Sequence, residues 1–401
     1  MTDGNPDSNQ ILRLVHRWRR RQISWWRHLH RYPELSFNEY KTTAFLSRTV
    51  EKLGLRLLPI KLETGLLAEL KGGRPGSTVA IRSDIDALSV TEQTDLDFKS
   101  RRDGCMHACG HDIHMAVVLG AAAVLAGMKT RLPGKVRFIF QPGEESPPGG
   151  AQPMIGVGAL KSVAMILALH TDPTVPTGKI GLRDGVTMGS VIDFDLDIYG
   201  SGGHAARPHL GVDAVVTAAE IVESVQKVVS REVDPNTPVA ISFGTIHGGS
   251  ARNVIADHVK LQGTARALSR SAARALPKLI RRTAAAICKA RGARLKMTTI
   301  PGYPVLKNEP VINNLLARNY RSLFGKGKIV LTKQFLGGED FACYLEKVPG
   351  AMFRLGVRNS NIGADQPWHS ARFIADEEAM VFGTALLVAT VIDFLNNHNK
   401  Q

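Results

Sequence analysis

Apolar residues recur at helical spacing early in the chain, with Leu12, Val15 and Trp18 on one stripe and arginines between them. The pattern predicts a helix over Gln10 to Leu29 that closes near Tyr32-Pro33, because a residue before proline is driven out of the α region. A second helical pattern runs from Ser36, a residue of capping type, to Leu53, with Gly54 as its stop. Two short apolar runs, Thr78 to Arg82 and Lys135 to Phe140, predict buried strands, and the apolar stretch His114 to Met128 lies between them as a helix. Val163 to Leu169 is a third strand-like run. Strand–helix–strand alternation of this kind predicts an α/β fold with a largely parallel central sheet. Ligands of such sheets sit beyond the carboxyl ends of the strands.

The pattern changes between about Met188 and Thr299. Ile192 to Tyr199 alternates as a strand with Asp193, Asp195 and Asp197 on its polar side, and Val212 to Val229 is a helix. Val239 to Ile246 and Val259 to Ala265 read as strands, Ser271 to Arg291 as a helix, and Leu295 to Ile300 as a last strand. The order β-α-β-β-α-β is that of a ferredoxin-like module. Pro301-Gly302-Tyr303-Pro304 then punctuates a return to the first pattern. The expected organisation is a discontinuous larger domain, residues 1–187 and 300–401, with residues 188–299 inserted as a lid or dimerisation domain.

Composition narrows the class. The 401 residues are 44% hydrophobic and 22% charged, which leaves ample apolar side chains for two cores. Four cysteines, Cys105, Cys109, Cys288 and Cys343, are too few for a disulfide scaffold. They suit a reducing cytoplasm, where a clustered cysteine is a metal ligand or a catalytic group. The first ten residues are polar, and the apolar runs Ala116 to Met128 and Val381 to Val391 read as too short to span a bilayer comfortably. A formal charge of +15 is concentrated in Arg13 to Arg31 and Arg266 to Lys296. Both stretches carry apolar residues at helical spacing, so they read as solvated faces of amphipathic helices. No nucleic-acid motif accompanies the charge, which disfavours that class of partner.

Chemistry gathers at Met106-His107-Ala108-Cys109-Gly110-His111-Asp112-Ile113-His114. Cys109 and His111 lie two apart, so both can converge on one ion, and a thiolate with a neutral imidazole suits borderline transition metals. Asp84 and Asp86 follow the first predicted strand, where carboxylates can orient metal-bound imidazoles. Glu144 and Glu145 follow the next strand in Gln141-Pro142-Gly143-Glu144-Glu145. Adjacent side chains diverge at such a turn, which suits one metal ligand and one general base. His170 is expected at the end of the third strand, and His369 lies far along the chain. Five ligand-type residues are too few for two closed tetrahedral sites, yet enough for two metals that share a bridging ligand and a water.

These residues stand in stretches that resemble the dinuclear-metal amidohydrolases of the aminoacylase/carboxypeptidase superfamily. The markers are HLHRYPELSF, RSDIDAL, RRDGCMHACGHDIH, FQPGEE, LHTDP, GSGGHAARPH, ARNVIADHVKLQGTAR, GGEDFACY and GADQPWHSARF, in that order. Within the superfamily the chain is most similar to the branch of N-acyl-amino-acid amidohydrolases, hippurate hydrolases and auxin-conjugate hydrolases. The resemblance implies two divalent ions (Zn, Mn, Co or Ni) held by Cys109, His111, Glu145, His170 and His369, with the Cys109 thiolate as bridge. It implies Glu144 as catalytic base and Asp86 as the supporting aspartate. In the inserted domain it implies that His204 donates to an oxyanion, across a homodimer interface. Asn253 corresponds to a residue near the substrate carboxylate, and Gly337 and Gly338 to a loop that shapes the acyl pocket. Three departures bear on substrate preference: Ser146-Pro147-Pro148 where relatives are Gly-rich, Trp368 where they carry leucine, and Ala371 where proline is common.

The expected activity is hydrolysis of the amide bond of an N-acyl amino acid, without a membrane partner. A metallo-dipeptidase or aminopeptidase on the same site is the near alternative. A basic nucleic-acid-binding protein with a vestigial metal site is the distant one.

Overall fold

In the computed structural model, which describes residues 7–398, the contacts divide the chain into two units. The first comprises residues 1–185, 307–333 and 343–401, and the second residues 186–306 and 334–342.

The first unit is built on an eight-stranded mixed sheet. Its centre is parallel: strand Arg74–Asp84 runs between Pro133–Gln141 and Val163–Pro176, and the last of these pairs in parallel with Gly350–Arg358. Antiparallel neighbours flank this centre, as where Leu66–Lys71 joins Pro133–Gln141. Helix His111–Ala126 is apolar all round, the mark of a helix covered on every side, and 15 of its residues are buried. It packs against helices Ser8–Arg31 and Ala379–His398. The latter corrects one expectation. The Val381 to Val391 run continues into a 20-residue helix, so length and hydropathy alone would let it cross a membrane. Its residues are instead largely buried within the protein.

Ser8–Arg31 turns Ile11, Val15, Trp25, Trp26 and Leu29 inward, and most of its arginines stay at the surface. The second helix starts later than its sequence pattern suggests, at Tyr40 rather than Ser36, and ends at Lys52. Ser36 is not a cap: its hydroxyl donates instead to Asp86 Oδ2 at 2.7 Å.

The second unit has its own core and a four-stranded antiparallel sheet. Strands Ser190–Tyr199, Val239–Gly248, His258–Ala267 and Arg294–Pro301 alternate with helices Ala214–Arg231 and Arg270–Arg291 in the order β-α-β-β-α-β. Phe194, Leu196 and Ile198 face the helices, while Asp195 and Asp197 on the alternate face pair with Lys260 at 2.9 Å and His258 at 3.0 Å. Residues 334–342, expected with the larger domain, group with this unit. The Gly189 amide hydrogen-bonds to both Phe335 O and Gly337 O, which ties the segment to the unit's first strand.

Candidate metal centre

Four chain segments of the first unit deliver the predicted ligands. The turn before helix His111–Ala126 needs Gly110 at φ +83°, and a Cβ there would stand 2.6 Å from Thr171 Oγ1. The Thr171 hydroxyl donates to Cys109 O at 2.9 Å and fixes the thiol-bearing residue. His111 opens the helix itself, three residues earlier than the apolar run indicates.

His170 lies inside its strand, which continues to Pro176, rather than at the strand's end. The neighbouring strand Arg74–Asp84 is paired only as far as Arg82 with Ala168, so beyond that point one side of His170's strand is left open. The His170 ring donates from Nδ1 to Thr171 O at 2.8 Å, which leaves the Nε2 lone pair toward Cys109 Sγ, 3.6 Å away.

His369 arrives last along the chain, at a backbone φ of +64° that few non-glycine residues adopt. Its amide donates to Ala108 O at 2.8 Å, one residue from Cys109. Trp368 beside it donates to Thr171 O at 3.1 Å and stands edge-on to His170, the ring centres 5.5 Å apart. The indole thus braces the site's framework.

These residues form two triads with a common member. The ligand atoms of Cys109, His111 and His170 lie within 4.8 Å of one another, and so do those of Cys109, Glu145 and His369. Glu144 joins His111 and Glu145 within the same 4.8 Å span. Asp86 holds the pieces in register: Oδ2 accepts from the Glu145 amide at 2.9 Å, and the backbone carbonyl accepts from His111 Nδ1 at 2.9 Å.

The electrostatics fit divalent cations. His111 Nε2 and Glu145 Oε1 are buried and have no hydrogen-bond partner, a state that costs roughly 1–3 kcal/mol per group unless a ligand satisfies it. Burial opposes a charge on His111, yet Asp84, Asp86 and Glu145 overcome it and raise the imidazolium to about 10. A metal ion would take the place of that proton. Burial, aided by Glu145 and Glu144, pushes the Cys109 thiol well above its ordinary range, so only a bound cation would hold it as thiolate. Burial, with Arg354 second, keeps His170 well below its usual range and therefore neutral.

Sequence reasoning passed over two supports. His114 shares the motif but not the site's open geometry, because Nδ1 binds Asp84 Oδ1 at 2.6 Å and Nε2 accepts from the Thr171 amide at 2.8 Å. Asp84 is also paired with the fully buried Arg82 at 2.8 Å. Glu39 is fully buried and accepts from the Gly143 amide at 2.8 Å, just before the glutamate pair. A Cβ on Gly143 would lie 2.4 Å from the Phe37 ring. The only signal for this clamp was the HLHRYPELSFNEY stretch itself, which carried no ligand-type pattern.

The other predicted residues lie in the second unit. His204 is exposed on the short strand Gly203–His204, which pairs with Val254–Ile255. Asn253 adjoins that ribbon, and its carbonyl accepts from the Ala205 amide at 3.1 Å. At Gly337 a side chain would strike the Phe335 ring, and at Gly338 it would strike Val191.

Residues 80–393 match the family described as peptidase family M20/M25/M40. Over 361 residues the chain is 38% identical to the N-acetylcysteine deacetylase of Bacillus subtilis, covering 90% of this chain and 93% of that one. Over 373 residues it is 36% identical to thermostable carboxypeptidase 1 of Saccharolobus solfataricus, covering 92% and 94% respectively. A crystal structure of a dinuclear metal-binding peptidase of the M20 family from B. subtilis superimposes with a TM-score of 0.83 at 34% identity, over 95% of this chain and 99% of that one.

Proposed function

This chain belongs to the M20/M25/M40 peptidase family, and from that premise we propose that it is a metal-dependent amidohydrolase that cleaves N-acyl amino acids to a carboxylate and a free amino acid. The observation that carries the reading is the pair of ligand triads joined at Cys109, with Glu144 at their side.

Cys109, His111, Glu145, His170 and His369 would hold two divalent ions. When bound, such ions acidify a water and polarise the acyl carbonyl. Their identity is open among Zn, Mn, Co and Ni, since the set mixes thiolate, imidazole and carboxylate. Glu144 takes a proton from the attacking water and returns it to the leaving amine. Asp86 orients His111 and the Glu145 backbone. His204 would donate to the oxyanion, while Asn253 and the Gly337-Gly338 loop would receive the substrate's ends. A reducing cytoplasm is the matching compartment, where Cys109 stays available to metal.

The test is turnover of an N-acyl amino acid panel with each of the four metals, against dipeptides that bear a free α-amine. Acetyl-Met cleaved at least tenfold faster than Ala-Met, by kcat/KM, supports the amidohydrolase. The reverse order makes the enzyme a dipeptidase, the activity class nearer to the carboxypeptidase relative.

The proposed assembly is a homodimer in which His204 serves the partner's site. The exposed ribbon that carries His204 motivates it. Inactive His204→Ala and Glu144→Ala variants, mixed with subunit exchange, should then regain roughly a quarter of wild-type activity, because random exchange makes about half the dimers mixed. A mixture that stays inactive despite demonstrated exchange places His204 in its own subunit's site.

A further inference from the structure

The first unit carries a second concavity, a groove of about 1060 Å³ between helices Ser8–Arg31 and Tyr40–Lys52 and the end of His111–Ala126. None of the groove's lining residues belongs to the metal centre. Its volume lies just above the range for small-molecule sites, about 300–1,000 Å³.

The lining has two chemistries. Trp18, Trp25 and Phe45 supply aromatic walls, and Arg17, Arg21, Arg48 and Lys52 supply an exposed cationic rim. No acidic residue is among those that line it. Other arginines of the first helix differ: Arg19 pairs with Glu377 and Glu378, and Arg27 with Glu377. Among the described residues the four rim cations have no ion-pair partner. A rim of unneutralised positive charge above apolar walls complements an anion with an apolar body.

The aromatic geometry selects among anions. Trp18 and Trp25 lie stacked at 6.0 Å, and His28 and Phe45 at 4.3 Å, so each of these rings has one face covered by its neighbour. Single-stranded nucleic acid needs such faces free for its bases. An aliphatic or aryl chain needs only an apolar wall.

We propose that this groove is a binding site for an amphipathic organic anion, its apolar body against Trp18 and Phe45 and its head group among Arg17, Arg21, Arg48 and Lys52. His28 reports on occupancy. Burial, then Arg31 and Arg48, holds its pKa below the ordinary value. An anion against Arg48 relieves part of that repulsion, so the His28 titration moves up on binding.

The experiment titrates the full-length metal-loaded protein with decanoate below its micelle-forming concentration. Calorimetry gives the affinity, and histidine resonances report where it binds. The expected result is an upward shift of the His28 titration and at least tenfold weaker binding to the Arg21→Glu/Arg48→Glu double variant. Arg13→Glu/Arg20→Glu changes net charge equally at exposed positions outside the groove, and it should bind within about twofold of wild type at 0.15 M salt, where the screening length is about 8 Å. The proposal is overturned if both double variants lose binding alike, since net charge alone then accounts for it. It is equally overturned if decyltrimethylammonium binds as well as decanoate, if decanoate leaves His28 unmoved, or if a single-stranded oligonucleotide occupies the groove in its place.

Discussion

Two buried histidine clusters flank the first turn of one helix, and they differ in how completely their polar atoms are satisfied. On one side His30 gives both ring nitrogens to carboxylates, Asp112 at 2.7 Å and Glu92 at 3.2 Å. Asp112 also accepts from the Trp26 indole at 2.8 Å, and Glu92 from the Ser100 amide at 2.6 Å. On the other side His111 Nε2 makes no hydrogen bond and lies 3.8 Å from Glu145 Oε1, which makes none either. A closed network fixes a structure, and an open one of the same residue types waits for a ligand. His30 and His111 are equally buried, and they differ in unmet hydrogen-bonding capacity.

The largest effect that sharpens this contrast falls on the open cluster. Glu144→Gln should lower kcat by about 10³-fold while both metals stay bound, as expected for loss of a general base. Glu145→Gln should instead lose metal, read by elemental analysis of the purified variants. The opposite pattern would exchange the two roles.

The closed cluster should answer in stability rather than catalysis. His30→Leu leaves two buried carboxylates without their cation, which costs about 3–5 kcal/mol, while kcat per metal-loaded molecule stays within about threefold. The pH dependence follows from the same pair of carboxylates. Burial works against the imidazolium, but Asp112 and Glu92 raise it from 6.5 to about 9. The contribution is therefore full below pH 6.5 and lost as pH rises through 9. It amounts to about 2 kcal/mol after allowance for coupling within the trio. Urea unfolding of the wild type at pH 6 and pH 9.5 should reveal this loss, and His30→Leu should abolish it. A wild type equally stable at both values would mean that the network holds no charge.

The smallest effect concerns the clamp beneath the Glu144-Glu145 turn. Burial and the charge of Asp86 raise the Glu39 carboxyl to about 7. Its stabilisation is full below pH 4.5 and lost as pH rises through 7. Glu39→Gln keeps an acceptor for the Gly143 amide and removes the ionisation, so at pH 8 it should be about 1 kcal/mol more stable than wild type with nearly unchanged turnover. Glu39→Ala removes the acceptor, and kcat should fall about tenfold as Glu144 loses its placement. Equal activity of both variants would deny the clamp any part in positioning.

The sequence was most legible where periodicity is strong and one core suffices. The β-α-β-β-α-β order of the second unit could be read from alternation in Ile192 to Tyr199 and from the amphipathic helices. The parallel centre of the first unit followed from its apolar runs. Sequence position did not reveal which motif histidines remain open. His111 and His114 are one helical turn apart and equally buried, and only Asp84 and the Thr171 amide, delivered by other strands, close the second ring. Ser36 misled because a hydroxyl that can cap a helix can equally serve a distant carboxylate. Trp368 reads in the sequence as a residue of substrate preference, and nothing there signals that its indole also bonds to Thr171 O and stands against the His170 ring.

The amide of His369 is bonded to the carbonyl of Ala108, with most of the chain lying between them. During synthesis the segment that carries Cys109, His111, Glu145 and His170 leaves the ribosome long before its fifth companion exists. Until then the set has four of its five donors. The order of birth makes the five-donor set wait for the C-terminal quarter of the chain before it can be complete.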